Sequence, residues 1–353
     1  MSDLDASSAP SMIDWELAVK VATKVVGDGP VVARAEAHDA VAELRAGAER
    51  STPLVREFTG LVAAERTAPV LVVDRPNWVQ ANAQAFAKIL TPIAANLLSQ
   101  RSGSPGMGLG AKLTGAEAGL MLGFMGSKVL GQFDPFHEAP GEHGRLLLVA
   151  PNVVHIEREL AVDPHDFRLW VCLHEETHRV QFTAVPWMAD HLRSQMELVA
   201  SGIKGDPTQL VGDLTHKVVD LFTGKTDGSL IDLMTTPEQK QVIDQITGVM
   251  SLLEGHADVV MDGVGPEVIP TVASIRNRFT RRRQGVGTLD KLLRRLLGID
   301  QKMAQYRDGA VFVRAAVDKV GMCGFNAVWE SPENLPSKAE ILDPQLWITR
   351  VHG

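Results

Sequence analysis

The sequence predicts a mainly α-helical protein with one small β-sheet. Most of the 353 residues read as helical segments, several of them with clear capping signals. Only two short apolar runs, residues 70–73 and 146–150, have the character of buried strands. Hydrophobic residues make up 45% of the chain and charged residues 22%, which is ordinary globular usage. The length alone would allow two domains of about 150 residues each.

Composition excludes several classes of protein. The net charge is -8, which argues against a nucleic-acid-binding protein. Two cysteines, Cys172 and Cys323, exclude a disulfide framework and a cysteine-built metal site. The N-terminus lacks the pattern of a secretory signal, and no stretch of 18 uncharged apolar residues occurs. We therefore expect a cytoplasmic protein with no membrane partner, and its oligomeric state stays open.

The first elements are helices, apart from one strand. They are predicted as helices near residues 12–26, 33–48 and 53–66, a strand at 70–73 and a helix over 77–99. A polar break at 100–110 contains alternating glycines, but no strand precedes it, so we reject a dinucleotide-binding loop. The next helix carries small residues four apart on one face, where a second backbone can approach closely. These residues are Gly115, Gly119, Gly123 and Ser127.

The middle of the chain reads as a loop over 133–144, then a strand over 146–150 that resumes at 153–154. An extended substrate could pair with residues 146–150.

Two long helices with clear starts follow. The first has Asp163 as its N-cap and should run to Ala184. The second has Thr236 as its cap and should end at Asp262, before Gly263. Further helices are predicted near residues 270–283, 288–298 and 300–320. We expect residues 1–353 to form one compact unit, with a possible subdivision into 1–110 and 111–353.

The first long helix carries His174-Glu175-Glu176-Thr177-His178, the H-E-x-x-H pattern. Residues four apart lie on one helix face, so both imidazoles can bind a single Zn²⁺. Glu175 flanks the metal without ligating it, in the place of a general base. An ordinary solvated helix face is the alternative, but the apolar surroundings of these side chains favour a metal site.

A catalytic zinc site needs a third protein ligand. The extended pattern H-E-x-x-H-x-x-G-x-x-H fails, because Gln181 and Ala184 occupy the required positions. The second long helix offers Glu254 as the third ligand and, four residues later, Asp258 as the acceptor that orients a ligating histidine. An ordinary salt-bridged helix face is the alternative. His256 points to roughly the opposite side of that helix and is a weaker candidate.

H-E-x-x-H followed by Glu-x-x-x-Asp resembles the gluzincin branch of zinc metallopeptidases. More specifically, the chain resembles a zincin-like metallopeptidase family of actinobacteria, whose members are labelled as hydrolases or as associated with deazaflavin-coenzyme biosynthesis. This resemblance rests on residues 70–78, 174–182, 252–262, 305–307 and 329–336. It implies a zincin-like fold, with the active-site helix beside the sheet, and Zn²⁺ as the cofactor. It also implies metal ligands at His174, His178 and Glu254, the base at Glu175, and Asp258 as the residue that orients a ligand.

The implied reaction is hydrolysis of a peptide or protein substrate. Water held by zinc and activated by Glu175 would attack the carbonyl carbon, and Tyr306, the only tyrosine, is a candidate donor to the oxyanion. Two other functions stay open: a zinc-stabilised binding or scaffold protein without turnover, and a metal-dependent amidase acting on a small metabolite. The basic segment 276–295 predicts either an anion-binding patch or, more simply, a helix paired with acidic neighbours.

Overall fold

The computed structural model describes residues 13–62, 68–99, 107–139, 142–201, 237–284 and 299–353. The α-helices are α1 (Trp15–Val26), α2 (Arg34–Thr59), α3 (Arg75–Ser99), α4 (Met107–Gly126), α5 (Ala150–Leu160), α6 (Pro164–Ala184), α7 (Met188–Ser201), α8 (Pro237–Val268), α9 (Val272–Gln284), α10 (Ile299–Phe325), α11 (Lys338–Leu342) and α12 (Pro344–His352). Two 3-10 turns follow α10, at Asn326–Trp329 and Pro332–Asn334. The predicted cap Thr236 and the predicted helix over 288–298 lie outside the described residues. The fold class predicted from the sequence, mainly α with a small sheet, is confirmed.

The sheet has three strands in the order β1-β3-β2: β1 (Val70–Val73), β2 (Gly131–Ala139) and β3 (Glu142–Val149). β1 runs parallel to β3 and β2 runs antiparallel to it. β3 is therefore the central strand, and both of its edges are occupied. The prediction that residues 146–150 could pair with a substrate is wrong for this reason. β2, which lies against α6, is an edge strand.

The described residues of the predicted loop over 133–144 are instead in strands: 133–139 belong to β2 and 142–144 to β3. β2 and β3 pair with an irregularity in register between Asp134 and Glu138, and a buried ion pair between Arg145 Nε and Asp134 Oδ2, 3.1 Å long, joins the strands. Residues 153–154 do not resume the strand. They lie in α5, where Pro151 occupies the first turn, a position at which proline needs no backbone N–H donor.

Helix α2 runs without a break through Pro53, where two separate helices were predicted. Proline inside a helix costs about 3 kcal/mol. Residues on both sides of Pro53, among them Leu44 and Val55, belong to one buried stripe that packs in the main core. Burial of that stripe outweighs the local penalty, so the helix continues to Thr59 and ends at Gly60 in the left-handed conformation.

The three glycines of the predicted stripe contact α1, as the spacing predicted, whereas Ser127 lies just past the end of α4. A Cβ atom on Gly115 would lie 2.4 Å from the Asp14 carbonyl oxygen, and one on Gly119 would lie 2.6 Å from that of Ala18. Side chains at these positions would push the helices apart. This pairing is the close backbone approach inferred from the sequence.

The predicted end of the second long helix at Asp262 is wrong. α8 continues through Gly263 to Val268, and the Phe58 ring packs directly against Gly263, where a Cβ atom would lie 2.0 Å from Cε2. Here the glycine makes room for a neighbouring ring instead of ending the helix. Within the described residues, no helix has both the length and the apolar character needed to span a bilayer.

Candidate metal centre

Helix α6 begins as predicted and is buried along most of its length. The Asp163 side chain accepts a hydrogen bond from the backbone N–H of Asp166, which caps the helix. On the side away from the histidines, Arg179 forms a bidentate ion pair with Glu176, at 2.7 and 2.8 Å, and donates to the Ala68 carbonyl at 2.9 Å. Because these buried groups are all paired, they fix the rotation of α6 about its own axis.

The two histidines of α6 face each other. Their ring centroids are 4.8 Å apart with an interplanar angle of 89°, and the Nε2 atoms of His174 and His178 are 3.2 Å apart. This is the arrangement that a spacing of four residues predicts on one face of a helix.

Glu254 reaches the same point from α8. Its Oε2 lies 3.5 Å from His174 Nε2, and its Oε1 lies 3.6 Å from His178 Nε2. On its other side, α8 crosses α10 tightly, and a Cβ atom on Gly255 would lie 2.1 Å from the Gly309 carbonyl carbon. Among the described residues, these three side chains form the one cluster of possible metal ligands.

The donor set fits a zinc ion. Four tetrahedral ligands at about 2.0–2.1 Å from zinc are separated from one another by about 3.3–3.4 Å. The three observed separations, 3.2, 3.5 and 3.6 Å, are close to that value. Two imidazole nitrogens and one carboxylate oxygen are also the ligand types of a catalytic zinc site.

Burial and the Glu254 carboxylate act in opposite directions on the pKa of both histidines in the cluster. Burial alone would lower the pKa of His174, but the Glu254 carboxylate raises it to about 9, with smaller contributions from Glu175 and Asp258. Burial lowers the pKa of His178; the Glu254 carboxylate opposes this shift and the proximity of His174 adds to it. The pocket therefore attracts one positive charge, which a proton on His174 or a metal cation can supply.

Glu175 is buried beside the ligands, against the first residue of β2. A Cβ atom on Gly131 would lie 2.6 Å from Glu175 Cγ and 2.9 Å from its Oε1, so the strand leaves just enough space for the carboxylate. Burial raises the pKa of Glu175 to about 7; His174 opposes this shift and Glu254 adds to it. Sequence reasoning missed Gly131, because its role depends on a neighbour that is distant in the chain.

Asp258 does not occupy the predicted place. The partner of His174 Nδ1 in the structure is Met261 Sδ, at 3.1 Å. The Asp258 carboxylate instead faces Arg276 of α9, with Oδ2 3.5 Å from Nη1. The four-residue spacing correctly predicted that Asp258 shares a face of α8 with Glu254. One turn further along that face, however, the charged group nearest to the Asp258 carboxylate is the Arg276 guanidinium.

Three of the basic residues of α9 are paired with acidic or carbonyl groups. Arg276 Nε also lies 2.8 Å from Asp262 Oδ1, Arg282 Nε lies 2.9 Å from Glu159 Oε1, and Arg278 donates to the Leu160 carbonyl at 2.8 Å. The described part of the segment 276–295 thus fits the simpler prediction of a helix paired with its neighbours.

Two other predicted candidates have different outcomes. Tyr306 belongs to α10, but its side chain lies outside what the structure describes. His256 is completely buried and does not reach the cluster; its Nδ1 lies 2.9 Å from Gln181 Nε2. Gln181 also contacts His178, at 2.9 Å from Nδ1 to Oε1. The sequence had shown this glutamine only as the residue that breaks an extended zinc motif.

Comparison with known proteins gives one family and one solved structure. No curated protein sequence matches the chain significantly. A protein from Chloroflexus aurantiacus, whose crystal structure is described as that of a provisionally assigned hydrolase with a novel fold, is 31% identical. The two superpose with a TM-score of 0.71, over 96% of this chain and 99% of the other. Residues 13–348 match the family described as zincin-like metallopeptidase, which indicates a zinc-dependent hydrolase. The chain therefore belongs to the zincin-like metallopeptidase family.

Proposed function

We propose that the protein hydrolyses peptide bonds with a zinc ion held by His174, His178 and Glu254. The observation that carries this proposal is the convergence of the three ligand atoms at 3.2–3.6 Å, with the buried Glu175 carboxylate beside them. Zinc, when bound at such a site, supplies a Lewis acid that polarises a carbonyl and makes water more acidic.

The chain's own residues have separate tasks in this proposal. His174, His178 and Glu254 hold the metal through two nitrogens and one oxygen. The Glu175 carboxylate accepts a proton as water attacks the carbonyl carbon, and then donates it to the amine nitrogen as the C–N bond breaks. The products are a carboxylate and an amine, and no other reactant is needed.

The number of ligands favours catalysis over a purely structural site. Structural zinc sites are closed by four protein ligands, whereas catalytic sites keep one position open. The described residues offer three ligands. A structural site also needs no buried carboxylate beside its ligands, and Glu175 is only 7% exposed. These features support a hydrolase rather than the scaffold alternative.

The test is hydrolysis of a mixed peptide pool, read by mass spectrometry, by the wild type and by Glu175→Gln. The variant should retain zinc and lose hydrolysis, because glutamine has nearly the same shape but cannot accept the proton. Glu117→Gln, at an exposed position of α4, is the matched control and should behave like the wild type. Undiminished turnover by Glu175→Gln would contradict the mechanism. A zinc-loaded wild type that cleaves small amides but no peptides would favour the amidase, and one that cleaves neither would favour the scaffold protein.

A further inference from the structure

Gln181 occupies a completely buried position one turn after His178 on α6. Its side-chain amide contacts three groups. Oε1 lies 2.9 Å from His178 Nδ1, and Nε2 lies 3.0 Å from the Leu253 carbonyl oxygen and 2.9 Å from His256 Nδ1. A buried amide with all of these contacts at hydrogen-bond distance is tightly constrained.

The Leu253 carbonyl fixes which way round the amide lies. A carbonyl oxygen can only accept a hydrogen bond, so the Gln181 atom that faces it must be the NH₂ group. The amide oxygen of Gln181 therefore faces His178. Leu253 immediately precedes Glu254, so this hydrogen bond also joins α6 to α8 beside the proposed ligands.

The orientation of the amide decides the tautomer of His178. Because the Gln181 oxygen can only accept, His178 Nδ1 must carry the proton and donate it. In neutral histidine, only one ring nitrogen carries a proton, so Nε2 is left with a free lone pair. That nitrogen lies 3.2 Å from His174 Nε2 and 3.6 Å from Glu254 Oε1. The free lone pair therefore belongs to the nitrogen that faces the other two ligands.

His256 accepts a hydrogen bond from the second hydrogen of the Gln181 NH₂ group. Its Nδ1 is therefore the acceptor and its Nε2 carries the hydrogen, and no hydrogen-bond partner of Nε2 is described. The ring is completely buried between Phe325 and Trp329, with centroid distances of 5.5 and 5.3 Å. A buried N–H group without a partner is costly. We attribute the unpaired Nε2–H group to the role of the other ring nitrogen. His256 Nδ1 accepts from Gln181 and holds that side chain in place.

We propose that Gln181, held by the Leu253 carbonyl and by His256, is the positioning residue that keeps His178 in its metal-binding tautomer. This inference rests on the proposed zinc site. Metal-ligating histidines commonly donate their outer N–H to an oxygen acceptor, and loss of that acceptor costs about 10- to 100-fold in metal affinity. Gln181 supplies the acceptor from the same helix as the ligand, at a spacing of three residues.

The test combines zinc affinity with the ring ¹⁵N chemical shifts of His178. Zinc affinity is measured by competition with a chromophoric chelator, and the shifts are recorded on the zinc-free protein. Gln181→Met has similar length but no acceptor. We expect it to bind zinc about 10- to 100-fold more weakly and to shift His178 away from the Nδ1–H tautomer. Gln345→Met, at an exposed position of α12, is the control and should match the wild type.

A second variant keeps the test decisive if Gln181→Met does not fold. His256→Phe places a ring among the same aromatic neighbours but removes the acceptor for Gln181. It should weaken zinc binding and give a mixture of His178 tautomers. Wild-type affinity and an unchanged tautomer in the folded variants would overturn the role of Gln181. A wild type that binds no zinc would instead contradict the proposed function, so the two failures are distinguishable.

Discussion

Replacement of Gly131 by alanine tests how closely strand β2 holds the proposed base. The added Cβ would lie 2.6 Å from Glu175 Cγ and 2.7 Å from Cδ. Carbon atoms in contact prefer about 3.5–4.0 Å, so the carboxylate would have to move by about 1 Å. Gly131 has no positive φ angle, so its backbone conformation is open to alanine. The substitution therefore acts mainly on Glu175.

A misplacement of about 1 Å in an active site can cost about 100-fold in rate, which corresponds to about 2.7 kcal/mol in the activation barrier. We expect Gly131→Ala to lower kcat/KM for a peptide from the pool by about this factor, while zinc content stays at the wild-type level, because Glu175 is not a ligand. Gly110→Ala is the matched control, since a Cβ atom there has no neighbour within 4 Å. A folded, zinc-loaded Gly131→Ala protein with wild-type turnover would refute the reasoning.

Three further predictions concern stability. Gly309→Ala should lower the thermal unfolding midpoint, because the added Cβ would lie 1.9 Å from the Ser251 carbonyl oxygen. Overpacking of this kind costs about 1–3 kcal/mol. An unchanged midpoint would contradict the tight crossing of α8 and α10. Glu340→Gln should destabilise the protein by about 1.5 kcal/mol at pH 7. Burial alone would raise the pKa of Glu340, but hydrogen bonds from Arg350 and Ser337 lower it. This stabilisation is therefore present above the unfolded-state pKa, about 4.3, and is lost as the pH falls through the folded-state value. Urea unfolding that gave an equal difference at neutral and strongly acidic pH would refute it. Zinc added at about 1,000 times its Kd should stabilise the wild type by about 4 kcal/mol relative to the zinc-free protein. Glu254→Ala should lose most of this stabilisation. A wild-type unfolding midpoint that does not respond to zinc would count against the site.

The parts of the fold and site that could be predicted from the sequence depend on local signals. Asp163 caps α6 through its own neighbours, and the spacing of His174 and His178 determines that they share a face. These relations act within one or two turns of a helix. They do not depend on where the rest of the chain lies.

The errors arose where tertiary packing decides the outcome. Pro53 should end a helix by local rules, but the buried stripe on both sides of it keeps α2 continuous. Asp258 was predicted to orient a histidine because of the face of α8 on which it lies. The helix spacing carries no information about Arg276, which approaches Asp258 from another helix. Gln181 could be recognised only once Leu253 and His256 lay beside it. Its spacing of three residues from His178 was the one signal that the sequence offered.

The most direct test of the zinc site is anomalous X-ray diffraction at the zinc absorption edge, from crystals grown with zinc. We predict one dominant peak at about 2.0–2.1 Å from the Nε2 atoms of His174 and His178, and at about 2.0–2.2 Å from a carboxylate oxygen of Glu254. A zinc-saturated crystal with no peak among these three side chains, or with its zinc held by other residues, would contradict the account.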